Sequence, residues 1–116
     1  MQRILLGLVG LWSMLAVQAW AGDANTEIQH LLSYIKTTPC EYERNGLSYK
    51  GSEAVVHVQR KYDYFKDKIK TAEDFVRLCA TKSELTGLAY QVQCPNEAKQ
   101  TSSTWLLTEL QKFRKP

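Results

Sequence analysis

Glu53, His57, Lys61 and Tyr64 are spaced four, four and three residues apart. In a helix that spacing puts all four on one stripe, because each residue turns the chain by about 100°. A carboxylate, an imidazole and an amine one turn apart can hold an anion, or poise His57 near neutral pH for proton transfer. The same residues also make an ordinary solvated helix face. There the i, i+4 pairs add about 0.2–0.5 kcal/mol each. On spacing alone the solvated face is the simpler account.

Other reactive types give weaker signals. His30, the second histidine, neighbours an apolar stripe and reads as a boundary residue. Ser83, in Thr81-Lys82-Ser83-Glu84, lacks the G-x-S-x-G elbow and the Ser-x-x-Lys order of serine nucleophiles. Cys79 has no C-x-x-C partner, and a buried thiol is a poor nucleophile. No histidine stands at metal-ligand spacing from the cysteines, so no metal site is expected. Gly-rich phosphate loops are absent, and no cofactor is expected.

Periodicity supplies the elements that must position these groups. Ile28, Leu31, Leu32 and Ile35 mark a helix over 26–37, with Thr26 and Gln29 as its capping box. Cys40 to Arg44 alternates like a strand, and Asn45-Gly46 follows as a tight turn. Leu47-Ser48-Tyr49 then either completes a hairpin or leaves one strand and a turn. Val55, Val58, Tyr62, Phe65 and Ile69 predict the longest helix over 52–69, capped by Ser52. Thr71-Ala72-Glu73-Asp74 is a second capping box, leading into Phe75, Leu78 and Cys79. Gly87 stops the polar stretch after that helix, and Ala89–Cys94 alternates as a strand. Residues 95–100 read as a polar loop. Ser102 or Ser103 then caps a last helix to Arg114, with Leu106, Leu107, Leu110 and Phe113 inward. The order predicts an α+β domain of about four helices with a two- or three-stranded antiparallel sheet.

The address is written at the start of the chain. Met1-Gln2-Arg3 carries one positive charge, Ile4–Val17 carries none, and Gln18-Ala19-Trp20-Ala21 offers two small residues to a signal peptidase. This is the pattern of a secretory signal cleaved after Ala21, and the apolar run is too short for an anchor of about 20 residues. Removing 21 of 116 residues leaves 95 in one domain, with 14 basic and 12 acidic side chains and a net charge of +2. That balance, with no basic stripe, argues against nucleic-acid binding. No second hydrophobic span follows, so no membrane span is expected after cleavage; a monomer is also expected.

A domain this small buries only about 60–65% of its unfolded surface, so a covalent tie would help. Cys40, Cys79 and Cys94 allow three single pairings, and three free thiols are the bland alternative. Cys79 falls at a helical core spacing, whereas Cys40 and Cys94 sit on extended segments beside Pro39 and Pro95. The expectation is therefore Cys40–Cys94, favoured by an oxidising compartment.

Several of these residues together resemble the YfeK-like family, short exported bacterial proteins grouped as a domain of unknown function. The resemblance runs from about Glu27 to Phe113. It rests on Arg44-Asn45-Gly46, Glu53-Ala54 with His57 and Lys61, Ile69, Thr71-Ala72-Glu73-Asp74-Phe75, Ser83, Thr86-Gly87 and Tyr90. Where the family carries Gly-Lys-Pro-Tyr, this chain reads Gly87-Leu88-Ala89-Tyr90. The resemblance implies a Gram-negative periplasm and no established activity. It also implies a shared binding or structural polar cluster of Arg44, Asn45, Glu53, His57, Lys61, Ser83 and Tyr90. Three functions follow as expectations. The first is a small binding or interaction module for a periplasmic protein or small ligand. The second is a hydrolase or transferase using His57 and Glu53, and the third is a structural envelope protein.

Overall fold

The structure, a computed structural model, describes residues 24–116, so the signal read over residues 1–21 lies outside it. Helix α1 is Ala24–Thr37, and strands β1 (Glu41–Arg44) and β2 (Leu47–Lys50) follow it. Helix α2 is Gly51–Phe65, prolonged by a 3-10 turn at Lys66–Lys68, and α3 is Ala72–Cys79. Strands β3 (Gln91–Gln93) and β4 (Gln100–Thr101) lead into α4, Ser102–Arg114. The class is α+β as predicted, and the sheet is antiparallel in the order β2-β1-β3-β4.

Asn45-Gly46 does close a hairpin. Both residues have positive φ, 52° and 80°, and Arg44 pairs with Leu47 across them. Two left-handed residues match the twist of the flanking strands, which is why an Asn-Gly pair suits this turn. The sheet has four strands where two or three were expected. The extra one, β4, is two residues long and takes its extended form from pairing with β3 (Gln91 with Thr101, Val92 with Gln100). Two residues carry no alternation, so the polar loop 95–100 gave no sign of it.

The core lies between the helices and one face of the sheet. Ile28, Leu31, Leu32 and Ile35 of α1 are buried, joined by Ala54 and Val58 of α2 and by Phe75, Val76 and Cys79 of α3. Tyr42 and Val92, paired across β1 and β3, contribute from the sheet, and Trp105, Leu106 and Leu110 from α4. Truncating a buried Phe such as Phe75 to Ala costs about 3–5 kcal/mol in such a core. Phe113, expected inward, is 40% exposed; its ring stacks on His30 at 4.0 Å between centroids.

Three predicted caps moved. In the described residues α1 begins at Ala24, which puts Thr26 inside the helix. β2 runs straight into α2, whose N-cap is Lys50 instead of Ser52. Gly51 packs so tightly on the Ile35 carbonyl that no side chain fits there, so the helix starts at that contact. Thr101 caps α4 by accepting from Thr104 N–H at 3.2 Å. Ser102 is fully buried and shares a 2.9 Å hydrogen bond with the Tyr42 hydroxyl. The box at α3 stands as read: Asp74 N–H donates to Thr71 Oγ1 at 3.0 Å, and Thr71 N–H donates to Asp74 Oδ2 at 3.2 Å.

Two long-range ties close the domain. Cys40 and Cys94 form a disulfide, with Cα atoms 4.2 Å apart. Glu41 pairs with Gln93, so continuing that register one residue outward sets Cys40 opposite Cys94. At the far ends of the helices Arg114 grips two carboxylates. It donates to Glu27 at 2.7 and 2.9 Å and to Glu73 at 2.7 and 2.9 Å. These bonds hold the Glu73 carboxyl below its ordinary pKa, the Arg114 contact being the largest cause.

Candidate functional site

The polar residues expected from the sequence come together in part. Arg44 ends β1, His57 lies midway along α2, and Tyr90 precedes β3; all three line one narrow apolar cavity. Its volume is about 10 Å³, roughly what a single water needs. The His57 ring meets Tyr49 edge-on at 5.6 Å. Its pKa is lowered from the usual 6.5, first by burial and then by the positive charges of Arg44 and Arg60. The imidazole is thus held neutral at pH 7, with positive charge around it. Arg44 Nε is buried and has no hydrogen-bond partner among the described residues.

Beside this cavity the remaining polar groups bond to one another. Asn45 Nδ2 donates to Ser83 Oγ at 3.3 Å, and Thr86 Oγ1 donates to Asn45 Oδ1 at 2.6 Å. Lys61 Nζ donates to the Lys82 carbonyl at 2.8 Å and to the Tyr90 hydroxyl at 3.3 Å, and pairs with Glu84 at 3.3 Å. Ser83 is 2% exposed, and its N–H donates to the Leu88 carbonyl at 3.0 Å. The result fastens the 81–90 loop to both α2 and the β1–β2 turn. Loops without sheet or helix bonds need such side-chain partners for their backbone.

Glu53 stands apart from the cluster. Its Oε1 accepts from Lys50 N–H at 2.9 Å, which occupies it in capping α2. Tyr64, the fourth residue of the stripe, is 82% exposed and packs only edge-on against Phe65, 4.9 Å between centroids. Ser83 Oγ contacts an amide and no base. Cys79 is fully buried, and burial pushes its thiol pKa up to about 11, so thiolate is scarce at neutral pH. His30 Nε2 lies 2.7 Å from Glu109 Oε2, bridging α1 to α4.

A ligand-sized hollow lies elsewhere. A cleft of about 480 Å³ opens beside the disulfide, between the end of α1 and one face of α4. Cys40, Cys94, Pro39 and Pro95 form one wall, and Tyr34 and Trp105 another, their rings 4.6 Å apart and tilted by 32°. Glu97, Glu109 and Lys112 bring charge to it, and Thr37, Thr38, Gln100 and Thr108 bring hydrogen-bonding groups. A volume of a few hundred Å³ with aromatic walls and a few polar groups is typical of small-molecule sites. A shallower groove of about 570 Å³ between α1 and α2 carries one charge, Lys36, and no aromatic ring.

Residues 22–114 match a family described as a family of unknown function (DUF5329). This chain belongs to DUF5329. It is also 32% identical over 94 residues to the uncharacterized protein YfeK of Salmonella typhimurium, an alignment covering 78% of this chain and 77% of that protein. No solved structure matches the chain.

Within this DUF5329 domain, sequence spacing pointed to a polar cluster that the fold brings together without Glu53, and it did not point to the cleft. The cluster is local in origin: a turn, one helix stripe and one loop, each with polar residues at visible spacing. The cleft joins α1, the disulfide wall and α4, which meet only in the folded chain. Trp105 and the prolines flanking the disulfide were its only traces in the sequence. Among the described residues no group of His, Cys, Asp and Glu is placed to hold a metal ion, and no helix is long and apolar enough to cross a membrane.

Proposed function

We propose that this protein is exported to the Gram-negative periplasm and acts there as a small binding module, with its ligand site in the cleft beside Cys40–Cys94. One observation carries the binding reading. The cleft, about 480 Å³, combines ligand size with aromatic walls and charged groups, while the Arg44–His57–Tyr90 cavity, about 10 Å³, has no room for a substrate. The address is supported by the signal pattern of residues 1–21 and by the disulfide, which suits an oxidising compartment.

A hydrolase or transferase built on His57 and Glu53 is the weaker reading. General acid–base catalysis needs its partners within hydrogen-bond reach. Glu53 is engaged with Lys50 N–H, and His57 is flanked by Arg44 and Arg60 instead of a carboxylate that would orient it.

Two measurements test the proposal. Intact mass of the protein from cells should show loss of residues 1–21 and a deficit of about 2 Da reversed by reduction, as one disulfide requires. An uncleaved mass would overturn the address. For binding, native mass spectrometry after incubation with periplasmic extract should show a bound mass. Thr108→Trp, which fills the cleft, should lose it, and Lys61→Ala should keep it. The opposite pattern would move the site to the polar cluster. A bound mass in neither would leave a structural envelope role.

A further inference from the structure

The cleft is asymmetric in charge. Its lining has two carboxylates, Glu97 and Glu109, against one ammonium, Lys112, a net of −1 on a processed chain of net +2. The Glu97 carboxylate makes no hydrogen bond or ion pair among the described residues. Glu109 is held in place by His30 at 2.7 Å. Both acids act on the same aromatic wall: the Tyr34 phenol pKa is raised by burial first, then by the negative charges of Glu109 and Glu97. Aromatic faces attract cations through their quadrupole, and more strongly where water is partly excluded. A carboxylate close by adds a charge-assisted hydrogen bond to any N–H donor.

We infer that the cleft recognises an organic ammonium ion, its apolar body against Tyr34, Trp105 and the prolines and its charged end toward Glu97 and Glu109. This rests on the cleft being the binding site and adds the class of ligand. An anionic ligand would meet Lys112 alone, opposed by two acids. A neutral ligand would offer neither carboxylate a counter-charge or a charge-assisted hydrogen bond. The chemistry is shared by free diamines and by lysine side chains of peptides, so both sources are tested.

Trp105 is the only tryptophan after residue 21 and lines the cleft, so its fluorescence reports occupancy. The processed protein would be titrated with cadaverine, with Nα-acetyl-lysine methylamide, with neutral 1,5-pentanediol and with glutarate. The expected result is saturable binding of one or both amines, with the diol and the diacid at least tenfold weaker, since one charge-assisted contact is worth on the order of a tenfold change. Cadaverine binding alone assigns a free amine; binding of the lysine derivative alone assigns a peptide side chain. Glu97→Gln should weaken the amine tenfold or more, and Lys112→Gln should strengthen it. The Glu97 carboxylate has no hydrogen bond or ion pair to lose, so folding should be unaffected; Glu109→Gln, which also touches His30, serves as a second variant with circular dichroism as the folding check.

Stronger binding of glutarate, or amine binding unchanged in both Gln variants, would overturn the inference. Binding of glutarate that Thr108→Trp abolishes would leave the cleft as the site and reject only the ligand class. No response to any of the four compounds would reject the ammonium class. The cleft itself would then stand or fall on whether Thr108→Trp loses the mass bound from periplasmic extract.

Discussion

The polar cluster around Asn45 and the cleft beside the disulfide contain similar residue types, but they direct them differently. In the cluster, Asn45 reaches Ser83 and Thr86, and Lys61 reaches Lys82, Glu84 and Tyr90. Its donors and acceptors bond to one another, beside a cavity of about 10 Å³. In the cleft, of about 480 Å³, the Glu97 carboxylate and the Lys112 amine bond to no other described residue. A group already satisfied by the protein gains little from a ligand. One left facing solvent inside an aromatic hollow can gain much more. Density of polar residues in the sequence therefore marked the latch, whereas the proposed site holds two charged side chains, Glu97 and Lys112, that bond to no other described residue.

The disulfide should separate the two regions most strongly. Replacing both Cys40 and Cys94 by Ser opens a loop that spans 54 positions of sequence. Loss of such a tie costs about 2–5 kcal/mol, with a chain-entropy value near 4 kcal/mol for this length. For a domain of this size that is a fall in Tm on the order of 20 °C. Urea unfolding should show it as a lower midpoint. At a temperature where the variant is still folded, amine binding should also weaken, because the cystine forms a wall of the cleft. Unchanged binding in a folded, destabilised variant would show that this wall is dispensable.

The latch should respond next, and only in stability. Asn45→Ala removes both side-chain hydrogen bonds and places Ala at a φ of 52°. A cost of about 1–2 kcal/mol is expected from an unpaired buried Ser83 hydroxyl and from backbone strain. Asn45→Gly loses the same bonds at a φ that glycine tolerates, so it should cost less; chemical denaturation of the two variants isolates the strain. Equal costs would assign the whole effect to the hydrogen bonds. Either variant losing cleft binding would mean that latch and cleft are coupled.

The ease of reading each region follows from how far apart its parts are in sequence. Apolar stripes such as Ile28-Leu31-Leu32-Ile35 are legible because one helix face repeats every 3.6 residues. The Thr71 box is legible because both of its partners lie within four residues. Ser52 and Ser102 misled as caps because neighbours outside their helices set the helix starts: Gly51 against the Ile35 carbonyl, and Ser102 drawn inward to Tyr42. Glu53 read as a partner for His57, yet the start of α2 claimed it. The disulfide could be expected from its flanking prolines, but the register that places it, Glu41 against Gln93, exists only once β1 and β3 pair. The cleft needs all of that in place, which is why no local pattern announced it.

The smallest effect belongs to His57, and it tests the sign of the field in the cluster. Burial comes first, then Arg44 and Arg60, and all three disfavour the imidazolium, so the folded pKa lies below the unfolded value of about 6.5. Below that pH the unfolded chain binds a proton that the folded chain resists, so stability falls as pH drops through 6.5 and levels off below the folded pKa. Above it, both states are neutral at this site and the contribution is complete. The difference in unfolding free energy between wild type and His57→Gln should therefore be flat from pH 8 to 7 and shrink or reverse toward pH 5, which comparison of the two removes from other titrating groups. Arg44→Met should flatten that dependence by removing one of the two positive charges. A difference that grows as pH falls would mean that an acid, Glu53 included, stabilises the charged ring after all; the cluster would then regain the carboxylate–imidazole pairing that its sequence spacing suggests.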